Sequence, residues 1–426
     1  MPAPDVVSPA SAPASQLPAL STSPTFHQGV LVLLAALAAA ALVGLPWLTT
    51  APNRLVSSQA LWLLPLLQGP WALPAGGVVV AVMTLVALGG FRSGRFGLTL
   101  MLVITIGLIP GLLWLAGAQA VAQAGQAAHT ASSVARTSLG SGFWVACGLL
   151  GLLLVEVLQR LGTALALRAA AALTVAALVG GLLAGGVCDE LSLVKEFANR
   201  ADGLWGAVGR HAVIVGVSLG CTLAIGLPLG VLGHARPAVR RVVMPVLNVL
   251  QTIPSIALFG LLMAPLAWLG AAVPALGQGG VSGVGLVPAV TALTLYALLP
   301  VVRGVLTGLA QLPAGVLQAA CSMGLSGGQT LGWVALPLAL PVVLAGVRTA
   351  AVQLVGLAAV AALVGAGGLG SILFDGLFSG AQDVVLLAVI PIVGMGVLVD
   401  AAFNSLSRLT RVARVRALLT RAGRAA

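Results

Sequence analysis

Charge is scarce in this chain. Asp, Glu, Lys and Arg together make up 7% of its 426 residues, against roughly 25% in an ordinary soluble domain. With 59% hydrophobic residues and a mean hydropathy of +1.12, the charges are too few to cover a soluble surface of this length. A water-soluble enzyme and a disordered chain are both excluded. Lysine occurs once, at Lys195, beside nineteen arginines, a ratio that reflects genomic base composition more than contact with nucleic acid, and no nucleic-acid partner is expected. Cys147, Cys188, Cys221 and Cys321 contain no C-x-x-C pair, so neither a disulfide framework nor a thiolate metal site is expected. His27, His129, His211 and His234 are too dispersed for a ligand set, and no catalytic constellation is present. The G-x-x-x-x-G-K-[ST] phosphate loop is missing, so the chain itself is not expected to bind ATP in that way, and no cofactor is expected. Alternating ten-residue strands are absent too, which argues against an outer-membrane barrel.

What is present is apolar sequence in long runs. A transmembrane helix needs about 20 mostly apolar residues. Ten segments meet that length approximately: 28–48, 74–90, 97–117, 142–159, 168–187, 207–233, 243–268, 286–309, 338–364 and 383–404. The expected fold is an all-α polytopic membrane protein of about ten transmembrane helices. Residues 1–26, rich in Pro, Ala and Ser, read as a disordered cytoplasmic tail; they lack the basic n-region of a signal peptide. The stretch 61–73, punctuated by Pro65 and Pro70, reads as a re-entrant or interfacial piece.

Basic residues are placed asymmetrically. With the N-terminus inside, the cytoplasmic loops and C-terminal tail hold fourteen Arg, among them Arg92, Arg160, Arg240 and Arg303. The outer loops hold five basic residues, Arg54, Arg136, Lys195, Arg200 and Arg210. This split predicts ten spans with both termini cytoplasmic. The chain divides near residue 190 into a five-span block (27–187), a charged segment (188–205), a second five-span block (206–405) and a basic cytoplasmic tail (406–426). In the charged segment Leu191, Val194, Phe197 and Ala198 recur at helical spacing, which predicts an amphipathic helix on the outer face.

Polar residues inside spans mark pathways or hold helices together. Asn248, Gln251, Thr252 and Ser255 recur at steps of three or four in the seventh span, beside Pro254; Tyr296 lies in the eighth, Arg348 and Gln353 in the ninth. These are candidate translocation-pathway residues, with interhelical hydrogen bonding as the alternative. The glycines of GLPLG (226–230) read as close helix packing rather than a nucleotide loop.

The most informative segment, QLPAGVLQAACSMGLSGGQTLGWVALPLALP (311–341), is too long for a tight turn and too mixed to cross the membrane. Gln318-Ala319-Ala320, then Gly324, then Leu336-Pro337 predict a short helix, a glycine break and a second helix. This spacing resembles the E-A-A…G…L-P coupling loop of ABC importer permeases. The segments 246–262, 292–309, 340–352 and 361–370 are similar to permeases of the osmoprotectant type, which carry glycine betaine or choline. The resemblance covers about residues 190–405; the first five spans are an extension that most such permeases lack. It implies the importer-permease fold in the C-terminal half, with Gln318, Ala319, Ala320, Gly324, Leu336 and Pro337 in the ATPase-coupling loop. It further implies cytoplasmic ATPase subunits, an extracytoplasmic solute-binding protein, a second permease copy or a similar permease, and a bacterial inner-membrane location. Gln318 stands where the family usually has Glu; it has no negative charge and gains two donors. Two other readings are an ion-coupled secondary transporter, disfavoured by the lack of mid-depth acids, and a membrane scaffold.

Overall fold

The computed structural model describes residues 24–51, 58–90, 94–129, 136–162, 165–278 and 280–422. Most of the expected N-terminal tail, together with Arg54 and Arg92, lies outside the described residues. The chain forms two compact units, residues 1–192 and 193–426.

Unit 1 is helical with one small sheet: α1 (Pro24–Gly44), β1 (Leu48–Ala51), β2 (Gln59–Leu61), α2 (Ala72–Gly90), α3 (Arg95–His129), β3 (Arg136–Leu139), α4 (Ser141–Arg160) and α5 (Leu165–Ala184). Helices α1 to α4 enclose a core of Leu31, Ala35, Leu85, Met101, Leu112, Leu150 and Leu153. Nearly every exposed position of α5 is apolar, as befits a helix against lipid. The antiparallel sheet, in order β2-β1-β3, was not expected. Its strands come from the α1–α2 and α3–α4 connections, where backbone groups freed from helices must find partners. Trp47 is fully buried beside it and meets Phe143 edge-to-face, with ring centroids 5.7 Å apart. The stretch expected to be interfacial, 61–73, holds the last residue of β2, a short 3-10 helix, Leu64–Gln68, and the start of α2.

In unit 2 the order is α6 (Ser192–Ala235, its first residue at the unit boundary), α7 (Pro237–Thr252), α8 (Ser255–Ala272), α9 (Pro274–Gln278), α10 (Leu286–Ala310), α11 (Ala314–Ser322), α12 (Gly327–Gln329), a π-helical stretch (Thr330–Ala335), α13 (Leu336–Leu357), a 3-10 turn (Val360–Val364), α14 (Leu369–Phe378) and α15 (Gln382–Ala422). The core is the α10–α13 pair, with Ala292, Leu293, Ala297, Val301, Val305, Ala350 and Leu354 buried between neighbours. At the crossing, a Cβ on Gly346 would sit 2.5 Å from the Pro300 carbonyl oxygen and 3.0 Å from the Gly304 Cα. Helix backbones approach this closely only where side chains are absent. The glycines of GLPLG pack as expected: a Cβ at Gly230 would meet Val305 Cβ at 2.6 Å.

Nine helices among the described residues are long and apolar enough to cross a membrane, and Gly29–Gly44 of α1 is a shorter apolar helix. The chain is an all-helical polytopic membrane protein.

Two expectations change. Residues 192–205 do not form a separate amphipathic helix; they are the first turns of the 44-residue α6. At 1.5 Å per residue that helix is roughly 66 Å long, about twice the hydrocarbon thickness. Leu191 is buried as expected, but Phe197 and Ala198 of the expected apolar face are exposed and Glu196 is buried. Glu196 and Arg200, 3.6 Å apart at i,i+4 spacing, carry the helix through the charged stretch. The second change is at 243–268, where the expected single span is two helices.

Candidate functional site

Proline sets the local geometry. Pro254 has no N–H and disfavours helical geometry at the residue before it, so Ile253 is extended at φ −69°, ψ 127°. Helix α7 ends at Thr252 and α8 begins at Ser255. Asn248, Gln251 and Thr252 therefore do not share one helix face with Ser255. Pro300 acts in the same way inside α10: it cannot donate to the Tyr296 carbonyl four residues back, and Gln251 Nε2 donates to that carbonyl instead, at 2.9 Å. The Tyr296 hydroxyl in turn donates to the Ile253 carbonyl at the break. Tyr296 is 5% exposed, so it holds the α7–α8 break rather than facing open space. Thr252 Oγ1 donates back to the Val249 carbonyl at 2.7 Å.

An open groove of about 390 Å³ lies between α7, α10 and α13. Gln251 lines it from α7, Arg303 and Thr307 from α10, and Thr349 and Gln353 from α13. Leu299, Pro300, Val342 and Ala345 supply apolar wall, and the Gly304–Gly346 crossing forms part of the lining. Arg303 Nη2 donates to Asn248 Oδ1 at 3.0 Å. The lining residues thus carry one cation, neutral hydrogen-bonding groups and no carboxylate. Of the expected pathway residues, Gln251 lines the groove and Asn248 holds its arginine; Thr252, Ser255 and Tyr296 are not in the lining. Arg303, Thr307 and Thr349 escape a reading of spacing alone, because Arg303, near the cytoplasmic end of the eighth span, is counted with the inside charges and isolated threonines are common in spans. A usable signal was available: Arg303 and Thr307 are four residues apart, each followed by a close-packing glycine, and Thr349 and Gln353 are four apart, one turn after Gly346.

The segment 311–337 has the expected helix–glycine–helix shape. Helix α11 ends in a Schellman motif: Leu325 N–H donates to the Ala320 carbonyl at 3.2 Å and Gly324 N–H to the Cys321 carbonyl at 2.9 Å. Gly324 is left-handed at φ +78°, and a Cβ there would meet nothing within 4 Å. The next helix starts with a capping box: Gln329 N–H donates to Ser326 Oγ, and Ser326 N–H to Gln329 Oε1. It continues through the π-helical stretch into α13 without a break, so Leu336 and Pro337 lie inside a continuous helical run rather than at a fresh entry. Gln318, Ala319 and Gly324 are exposed, whereas Ala320 is 1% exposed and packs inward. Met323 and Trp333 stand 73% and 68% exposed, leaving an apolar surface on this segment.

Two further polar clusters are structural. Arg348 on α13 donates from Nε to Asp400 Oδ1 at 2.6 Å and from Nη1 to Asn404 Oδ1 at 2.7 Å, and Asn404 Nδ2 donates to Asp400 Oδ2. This pairs the intramembrane arginine across to α15, as membrane charges require. His211, fully buried on α6, donates from Nε2 to the Val355 carbonyl at 3.0 Å, and Arg210 Nε donates to Ala366. Arg210 thereby holds the glycine-rich turn of 361–370, while His211 ties α6 to the end of α13. Among the described residues no group of His, Cys, Asp and Glu is placed to hold a metal ion.

Residues 27–194 match the family described as ABC transporter permease YehY, N-terminal domain, and residues 223–412 match the binding-protein-dependent transport system inner membrane component family. The osmoprotectant import permease protein OsmW of Salmonella typhimurium is 40% identical over 189 residues, covering 42% of this chain and 83% of that one. The carnitine transport permease protein OpuCB of Listeria monocytogenes is 34% identical over 204 residues, 48% of this chain and 84% of its own. For the choline transport system permease protein OpuBD of Bacillus subtilis the values are 33% over 220 residues, 51% and 89%. The inward-facing MetNI methionine ABC transporter overlaps 49% of this chain and 95% of its own at a TM-score of 0.44 and 27% identity. A transmembrane helical chain with one family match in each half, and with relatives matched over most of their own length, belongs to the binding-protein-dependent transport system inner-membrane component family of ABC importer permeases.

Proposed function

We propose that this chain is the membrane-spanning subunit of an ATP-driven importer of osmoprotectants of the glycine betaine, carnitine and choline kind. The observation that carries the reading is the 40% identity to an osmoprotectant permease. The spacing of Gln318, Ala319, Ala320, Gly324, Leu336 and Pro337 supports it. Hydrolysis belongs to separate ATPase subunits that dock on the exposed surface of 311–337, around Gln318, Met323 and Trp333. A solute-binding protein delivers from outside, and a second permease copy, or a similar permease, completes the pathway. Alternating access follows: closure of the ATPases displaces α11, whose end is fixed by the Gly324 motif, and the motion reaches α10 and α13 through their packed crossing. Residues 206–405 form the permease domain and 27–187 an N-terminal extension.

The decisive experiment is uptake of labelled glycine betaine, carnitine and choline into vesicles holding the chain with its ATPase and binding protein. ATP-dependent uptake of at least one supports the proposal. Uptake that survives ATP depletion but collapses with the ion gradient assigns an ion-coupled transporter, and no uptake of any solute leaves a scaffold.

The orientation has its own expected result. In a cysteine-free background, Leu193→Cys and Gln278→Cys react with an impermeant thiol reagent added outside, whereas Gly94→Cys and Gly327→Cys do not. Outside labelling at position 327 overturns both the cytoplasmic termini and the docking role of the 311–337 segment.

A further inference from the structure

We infer that Arg303 is the specificity-determining residue of the α7–α10–α13 groove, and that the solute it takes carries a carboxylate, as glycine betaine and carnitine do and choline does not. The inference rests on the importer reading above and narrows its substrate class.

Charge carries the argument first. Arg303 is the one ionic side chain among the groove's lining residues. Its side-chain partner is the neutral Asn248, whose Oδ1 takes one of the five guanidinium N–H donors at 3.0 Å. That bond orients the planar fork without neutralising it. Of the other arginines of these helices, Arg240 and Arg241 on α7 do not line the groove, and Arg348 on α13, which does not line it either, is closed on Asp400 at 2.6 Å. A guanidinium held in this way is matched by a carboxylate, which it can receive through two parallel hydrogen bonds.

The rest of the lining points the same way. A quaternary ammonium without an acid group needs a carboxylate or the face of an aromatic ring. The lining offers neither: its walls are Leu299, Pro300, Val342 and Ala345, and its neutral groups are Gln251, Thr307, Thr349 and Gln353. A lone cation such as choline meets only the positive charge of Arg303. A zwitterion places its carboxylate on Arg303 and its methyl groups against the aliphatic wall. The volume of about 390 Å³ admits a molecule of this size. One charged contact among weak neutral ones also suits transport, because the solute is oriented but not trapped.

The test uses the full-length chain with its ATPase and binding protein, in a background free of the native cysteines and carrying Thr349→Cys as a reporter in the groove. The rate of thiol labelling is measured against glycine betaine and against choline. Glycine betaine is expected to slow labelling and choline not to. Adding Arg303→Gln is expected to raise the half-protecting glycine betaine concentration about tenfold or more, the loss of a charged hydrogen bond, and Arg303→Lys, which keeps the charge without the fork, to fall between. Equal protection by both solutes, or protection indifferent to Arg303→Gln, overturns the inference. ATP-driven uptake by the parent complex without protection by glycine betaine also overturns it, while the importer reading stands. Absence of ATP-driven uptake of every solute takes both down.

Discussion

Gly324→Asp is expected to reduce ATP-driven uptake to background while the chain still inserts and accumulates in the membrane. Gly324 is the left-handed residue that closes the Schellman motif of α11, and its surroundings are open, so no side chain collides within this subunit. A non-glycine residue in that conformation costs about 1–2 kcal/mol, with Asn and Asp tolerated best. The helix end therefore survives the change. What Asp adds is a charge at the tip of an exposed, otherwise uncharged surface that includes Met323 and Trp333. Burying that charge against an ATPase without a partner is strongly unfavourable. Gly324→Asn has nearly the same shape and backbone preference but no charge, and is expected to keep most of the uptake. Copurification of the ATPase with each variant separates docking from folding. Equal activity of the Asp and Asn variants in a stably inserted chain removes the docking assignment. Gln318→Glu, at an exposed position of α11, is expected to be tolerated.

Gly346→Ala is expected to destabilise the second unit, by about 1–3 kcal/mol if the neighbours yield as in other overpacked cores. The added methyl would lie 2.5 Å from the Pro300 carbonyl oxygen and 3.0 Å from the Gly304 Cα. Both obstacles are backbone, so α10 and α13 must separate along the seam that also forms the groove. Gly346→Val is expected to prevent assembly altogether. Gly356→Ala, in the same helix but with nothing within 4 Å of its added methyl, is the control. It should be neutral or slightly stabilising, because alanine favours the helix over glycine. Thermal unfolding of the detergent-solubilised chain, followed by loss of the monodisperse peak, reads all three. A Gly346→Ala variant as stable as Gly356→Ala would mean that the two helices do not cross at these glycines.

Several features of this protein were legible from local sequence, and each has a local cause. Lipid leaves no water to satisfy a backbone, so apolar runs of sufficient length become helices whatever surrounds them. This is why the all-helical polytopic fold follows from hydropathy. The bend at Gly324 is equally local: the left-handed glycine, the Ser326–Gln329 capping box and the short apolar helix before them lie within a few residues of one another. Pro254 was legible as a weak point in the seventh span. That it divides the span into two helices depends on partners elsewhere, because the Tyr296 hydroxyl satisfies the Ile253 carbonyl at the break and Gln251 the Tyr296 carbonyl that Pro300 leaves open.

Tertiary structure alone decided which polar groups meet. Arg348 finds Asp400 and Asn404, and Arg303 finds Asn248, across more than fifty residues of chain. No periodicity encodes a partner at that distance, since it depends on how α7, α10, α13 and α15 cross. The small sheet of unit 1 arises in the same way, from strands in two connections that only folding brings together. Composition and spacing determined that this chain crosses the membrane repeatedly and carries a helix–glycine–helix segment between two of its spans. The packing of glycine against glycine at the α10–α13 crossing decided where a polar groove opens and which arginine faces it, because the course of a helix through lipid is set by hydrophobicity, whereas its rotation and neighbours are set by shape.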